Sequence, residues 1–172
     1  MEATHERRDN WKSWLEAHGP QLLLCARQWT RSLADAEDVL QEAFVRYWRH
    51  QRQLPGDPRA LLITSIRRAA LDLARRESRR LAREEKCDGG IEEPERLFVA
   101  QSAEDAERRS RIESALRQLP PEQREVLVLK VWNELTFGQI AATLDIPANT
   151  AASRYRYGLA ALRKELKPVC HG

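Results

Sequence analysis

The stretch "DIPANTAASRYRYG", residues 145–158, opens like a turn and continues like a helix. Pro147 fits the first position of a helix, because its fixed backbone angle suits a helix start and its missing N–H is not needed there. Ala151, Tyr155, Leu159 and Leu162 recur at helical spacing and are expected to face a core. Asn149, Ala152, Ser153 and Arg156 then point outward. Upstream, Thr136 can cap a short helix carrying Ile140, Ala141 and Leu144, which "LDIP" ends. Periodicity alone fits two readings equally: a helical hairpin of an interaction domain with a solvated basic face, or a helix-turn-helix, whose second helix enters the DNA major groove. Small residues near the start let that helix sit deep, while arginines and hydroxyls supply donors to phosphates and base edges. Asn149, Thr150, Ser153, Arg154 and Arg156 are the candidate DNA contacts.

Working outward, the whole chain predicts an all-α fold of two small helical domains joined by a flexible acidic linker. The second domain is expected over residues 109–168. Ile112, Ala115, Leu116 and Leu119 mark its first helix; Pro120 and Pro121 break it and open the next, with Val126, Leu127, Leu129 and Val131. The linker is expected over 85–108. Between Cys87 and Glu107 it holds Gly89, Gly90, Pro94 and seven acidic residues against one arginine.

The first domain is expected over 11–84. Its clearest helix is "DAEDVLQEAFVRYWRH", 35–50, with Asp35 as the expected cap. Ala36, Val39, Leu40, Ala43, Phe44, Tyr47 and Trp48 make one apolar face, opposite Glu37, Asp38, Gln41, Glu42, Val45 and Arg49. Upstream, "PQLLLCARQWTRSL", 20–33, reads as a helix with Pro20 at its first position. Downstream, Asp57 can cap a helix that starts at Pro58. Its apolar stripe, Leu62, Ile66, Ala69 and Leu73, is narrow and fades after Leu73. The remainder becomes basic, and its last turns are expected to project past the core. Arg68, Arg75, Arg76 and Arg79 are the candidate phosphate contacts there.

Composition narrows the function. The 172 residues are 42% hydrophobic and 32% charged, with a formal net charge of only +3. The acidic linker offsets two basic blocks, so the distribution of charge is more informative than its sum. Cys25, Cys87 and Cys170 stand far apart and form no CxxC pair, which predicts a reducing compartment, no disulfide framework and no metal site. No apolar run approaches the roughly 20 residues that span a bilayer, so a cytoplasmic protein without membrane insertion is expected. His5, His18, His50 and His171 sit in no catalytic pattern, and no P-loop or glycine-rich phosphate fingerprint is present. No enzyme activity and no cofactor are expected.

With both blocks in view, the chain resembles the extracytoplasmic-function sigma factors of bacterial RNA polymerase. "DAEDVLQEAFVRYW", 35–48, is similar to the family's core-polymerase-binding helix, and "DPRALLITSIRRAALDLARR", 57–76, to the segment that handles the minus-ten element. The stretch from Leu119 to Leu166 is similar to the domain that reads the minus-thirty-five element. The order of the three motifs carries the resemblance more than any one of them. It implies that Asp38, Gln41 and Glu42 contact core RNA polymerase, that Arg68, Arg75, Arg76 and Arg79 lie at the minus-ten element, and that the other partners are double-stranded promoter DNA and an anti-sigma protein. Leu61, Arg68 and Glu134 depart from the family pattern of an aromatic, an asparagine and a glycine. Glycine at 134 would suit a left-handed residue, so Glu134 is expected to carry modest strain. Neither Leu61–Arg83 nor the 51–57 loop holds an aromatic to stack on an opened strand. The alternative function is a helix-turn-helix regulator that does not bind the polymerase.

Overall fold

The computed structural model describes residues 2–83 and 103–166, and among these it contains seven α-helices and no strand. In chain order they are α1 (Glu2–Ala26), α2 (Leu33–Arg46), α3 (Pro58–Arg83), α4 (Ala103–Gln118), α5 (Pro121–Val131), α6 (Phe137–Leu144) and α7 (Ala148–Leu166). Most of the expected acidic linker lies outside the described residues. Residues 103–108, assigned to that linker from composition, belong to α4. Acidic, strongly polar sequence of this kind still has good intrinsic helix formers, and the Glu107–Arg111 pair, 2.6 Å apart, supports one exposed turn.

The first three helices pack together. From α1 come Leu22, Leu24, Cys25 and Ala26; from α2, Ala36, Val39 and Ala43; from α3, Leu62, Ile63, Ile66, Ala69 and Ala70. Each large aliphatic side chain buried in this way contributes about 1.5–3 kcal/mol before entropy is subtracted. Beyond Leu73 the described side chains of α3 are mostly exposed, as the fading stripe predicts.

Three local expectations change. Pro20 does not start a helix but lies inside α1, where it cannot donate to the carbonyl of Glu16. The cap of α2 is Ser32 rather than Asp35: the Asp35 amide donates to Ser32 Oγ at 3.1 Å, which places Asp35 in the first helical turn. Trp48 leaves the buried face and is 38% exposed. The cause is a π-helical segment, Tyr47–Gln51, whose wider turn rotates the side chains out of the phase set by α2. Arg52 lies over the Trp48 ring, 5.0 Å from its centre. The Ser65 hydroxyl donates to Gln51 Oε1 at 3.1 Å, tying this turn to α3. Asp57 starts α3 as expected, its Oδ1 accepting from the Arg59 amide at 2.9 Å.

In the second half, Thr136 and Gln139 form a reciprocal capping box at the start of α6: each side chain accepts from the other residue's backbone amide, at 3.1 and 2.8 Å. Asp145 ends α6 in the left-handed conformation, φ 56°, which a short polar side chain tolerates. Glu134 also has positive φ, 55°, as the missing glycine implies. The two halves are not separate bodies. α1 meets α5, α3 meets α6, and one hydrophobic cluster runs from Leu22 through Ile66 to Val126, Ile140 and Ala151.

Candidate nucleic-acid interface

The helix-turn-helix consists of α6, the turn 145–147 and α7. The Ile146 amide donates back to Ala141 O at 3.1 Å, and the Thr150 and Ala151 amides donate to Pro147 O at 3.0 and 3.1 Å, so backbone bonds fix both sides of the turn. Ala151 is fully buried, and Tyr155, Leu159 and Leu162 pack against the core. Tyr155 meets the Phe137 ring edge-on at 5.6 Å, fixing the angle between α6 and α7. Lys130 sits over the other aromatic partner, Phe137, and also donates to Leu135 O at 3.1 Å.

Gly158 allows α5 and α7 to approach closely. A Cβ there would stand 2.9 Å from Leu127 Cδ1 and 3.2 Å from Gln123 Cβ. Periodicity did not single out this glycine, because only the facing helix shows why it is small.

On the opposite side of α7, Asn149, Ser153 and Arg156 follow one stripe, since steps of four and three residues return to the same helix face. Asn149 and Arg156 are exposed and Ser153 is half-buried. Thr150 and Arg154, both half-buried, form a second pair one step round the helix. The Arg156 guanidinium lies 5.5 Å from the centre of the Tyr157 ring, and Tyr157 is 60% exposed. Tyr157 therefore belongs to the candidate surface.

On α3, Arg68, Arg75, Arg76 and Arg79 are all exposed. Arg68, Arg75 and Arg79 share one stripe, while Arg76 is turned about 80° away round the helix. Arg75 pairs with Asp72 at 3.4 Å, and Arg79 Nε donates to Arg75 O at 3.2 Å. Exposed pairs such as Arg75–Asp72 are weak. On α2, Asp38, Gln41 and Glu42 are exposed with Val45, opposite the buried Ala36, Val39 and Ala43. Glu42 pairs with Arg46 at 3.3 Å. Val45, 45% exposed, places an apolar side chain within that polar stripe.

Behind these surfaces, burial pushes the Cys25 thiol well above its usual range, and the nearby Glu125 carboxylate pushes it further in the same direction. Burial and then Asp57 raise the Tyr47 phenol. Among the described residues, no helix is long and apolar enough to cross a membrane, and no cluster of three or more His, Cys, Asp or Glu is arranged to hold a metal ion.

Two family descriptions match the chain in order: Sigma-70 region 2 over residues 14–80, and Sigma-70 region 4 over residues 109–162. The chain is 33% identical over 161 residues to the ECF RNA polymerase sigma factor SigL of Mycobacterium tuberculosis, covering 90% of this chain and 87% of that one. It is 32% identical over 160 residues to SigJ of the same organism, covering 87% of this chain but spanning only half of SigJ. In fold it is similar to the sigma factor RpoE of Bartonella quintana, solved in complex with the anti-sigma factor NepR. That match has a TM-score of 0.65 at 20% identity and covers 92% of this chain and 97% of the other. The exposed stripe of α2 and the candidate residues of α3 and α7 thus lie within the matched regions, and the chain belongs to the extracytoplasmic-function RNA polymerase sigma factors, the family that directs transcription initiation.

Proposed function

We propose that this chain binds core RNA polymerase through Asp38, Gln41 and Glu42, and carries it to a promoter through α3 and α7. Arg68, Arg75, Arg76 and Arg79 neutralise phosphates around the minus-ten element. Asn149, Ser153 and Arg156 read base edges of the minus-thirty-five element, with Thr150 and Arg154 on its backbone. The chain performs no chemistry of its own and works in the cytoplasm beside the polymerase. An anti-sigma protein holds it in reserve, as NepR is bound to the similar RpoE.

The observation that carries this reading is the pairing, in one chain, of an exposed polar stripe on α2 with a helix α7 that turns Asn149 and Arg156 to solvent opposite the buried Ala151 and Gly158. A regulator that acted on DNA alone would need the second feature only. Run-off transcription with purified core polymerase, on fragments of the protein's own genome, tests it. The expected result is a transcript of defined start that requires both the polymerase and this chain. A chain that binds DNA but adds no start site to the polymerase is the alternative regulator.

A further inference from the structure

Tyr157 is, at 60%, the most exposed large apolar side chain among the described residues. A single ring in water is unremarked on most surfaces, so its place on the helix matters more than its exposure. At 3.6 residues per turn, Tyr157 stands about 40° round α7 from Ser153 and about 20° from Thr150. It therefore divides the stripe of Asn149, Ser153 and Arg156 from the flank of Thr150 and Arg154. The Arg156 guanidinium lies over its ring, 5.5 Å from the centre. No acidic residue precedes Glu165 on α7, so no carboxylate one turn away on that helix can hold Arg156. Arg75 on α3 is held differently, by Asp72 at 3.4 Å. The difference is chemical. A carboxylate neutralises an arginine and occupies its N–H groups. An aromatic face attracts the charge and leaves all five N–H donors for another acceptor.

We infer that Tyr157 is a positioning residue for base reading: its ring holds the Arg156 guanidinium at the edge of the reading stripe, charged and with its donors open to a guanine. This rests on the proposed reading of α7 as the recognition helix. An arginine side chain is long, and fixing its rotamers opposes any contact made with two hydrogen bonds. A ring that restricts the guanidinium beforehand removes part of that cost. Tyr157 thereby acts on sequence preference through Arg156 and adds no charge of its own. An exposed contact of this kind is worth about two- to fivefold in an equilibrium.

A double-mutant cycle in the full chain tests the inference. Core polymerase carrying wild type, Tyr157→Leu, Tyr157→Phe, Arg156→Ala or the Tyr157→Leu, Arg156→Ala pair selects from promoter fragments randomised across the upstream element. Arg156→Ala should reduce preference at one base pair about fivefold or more. Tyr157→Leu should reduce it at the same base pair about two- to fivefold, and add nothing when Arg156 is already alanine. Tyr157→Phe should select as wild type does, because the ring remains. Thermal midpoints should stay together, since both side chains are exposed. Undiminished preference in Tyr157→Leu, a loss at a different base pair, or additive losses in the pair overturns the inference. So does Tyr157→Phe behaving like Tyr157→Leu, which would assign the effect to the hydroxyl. The free chain gives a readout without DNA. The Arg156 side-chain protons should show a ring-current shift in wild type and Tyr157→Phe that Tyr157→Leu abolishes; equal shifts in all three overturn the ring contact. Absence of any sequence preference in the wild type, with the ring-current shift present, would instead defeat the recognition-helix reading.

Discussion

At the scale of single residues, the DNA contacts proposed for α7 are of two kinds. Arg156 is exposed, shares a stripe with Asn149 and Ser153, and is steadied by the Tyr157 ring. Of the three it is the residue able to hold a guanine with two hydrogen bonds. Arg156→Ala should therefore relax sequence preference, losing about 1–3 kcal/mol of discrimination at one base pair. Arg154 lies on the flank with Thr150. Its replacement by alanine should weaken all sequences alike and reduce the salt slope by about one unit. Selection from a randomised DNA pool at two salt concentrations checks both; unchanged stringency for Arg156→Ala would show that the reading stripe is elsewhere. Cys25 gives a different residue-scale expectation. Its thiol is raised above the usual 9.0 mainly by burial, so the folded state favours the neutral form. The unfolded chain loses the proton first. Stability from this site is complete below about pH 9 and is lost as pH rises through the folded value. Urea unfolding of wild type and Cys25→Ala should show it: the wild type declines more steeply from about pH 9 to pH 11. Parallel curves would mean that the thiol is not coupled to folding.

At the scale of elements, the informative contact is α5 against α7. Each helix has a readable apolar pattern, but their separation depends on Gly158. A methyl there would stand 2.9 Å from Leu127 Cδ1 and 3.2 Å from Gln123 Cβ, so the end of Leu127 must turn aside and Gln123 must give by a few tenths of an ångström. Gly158→Ala should destabilise the second domain by about 1–3 kcal/mol, despite alanine being the better helix former. Thermal unfolding checks the sign, and a stabilised variant would show that the helices have room. DNA binding through the proposed stripe of α7 should weaken with it, because the same packing places that stripe. Helix starts were legible where a side chain supplies the cap at short range: Thr136 with Gln139, and Asp57 with the Arg59 amide. They were misjudged where a competing cap or a change of helix type intervened. Ser32 displaced Asp35, and the π-helical turn at Tyr47–Gln51 moved Trp48 outward.

At the scale of the whole molecule, the stripe of α2 proposed to face the polymerase and the helices proposed to face DNA serve different partners, and their effects should be separable. Asp38→Arg with Glu42→Arg changes charges that are exposed and face away from Ala36, Val39 and Ala43. The double variant should lose at least about tenfold in affinity for core polymerase, about 1.4 kcal/mol, while its helix content and thermal midpoint stay near wild type. DNA binding by α7 should persist. An unaltered pull-down of core polymerase would remove Asp38 and Glu42 from that interface.

The sequence by itself determined the all-helical class, the outward and inward faces of α2 and α7 and the turn before α7, whereas the positive φ at Glu134 was expected only from the resemblance to a family with glycine there. Those features depend on helical periodicity and on caps only a few residues away, so a single chain segment carries the information. It also ordered the two matched regions correctly. Tertiary structure alone decided the docking of the halves. Trp29 and Glu125, Arg59 and Glu134, and Thr64 and Thr143 meet by hydrogen bonds but are separated by 96, 75 and 79 positions, and no periodic pattern relates them. Each looks like a surface residue until the opposite domain is in place. The same holds for Gly158 and Cys25, whose roles come from neighbours on other helices: Leu127 and Gln123 for the glycine, Glu125 for the thiol. Local pattern fixes which face of a helix is apolar, but the choice of its partner depends on shape and charge brought together only by the folded chain.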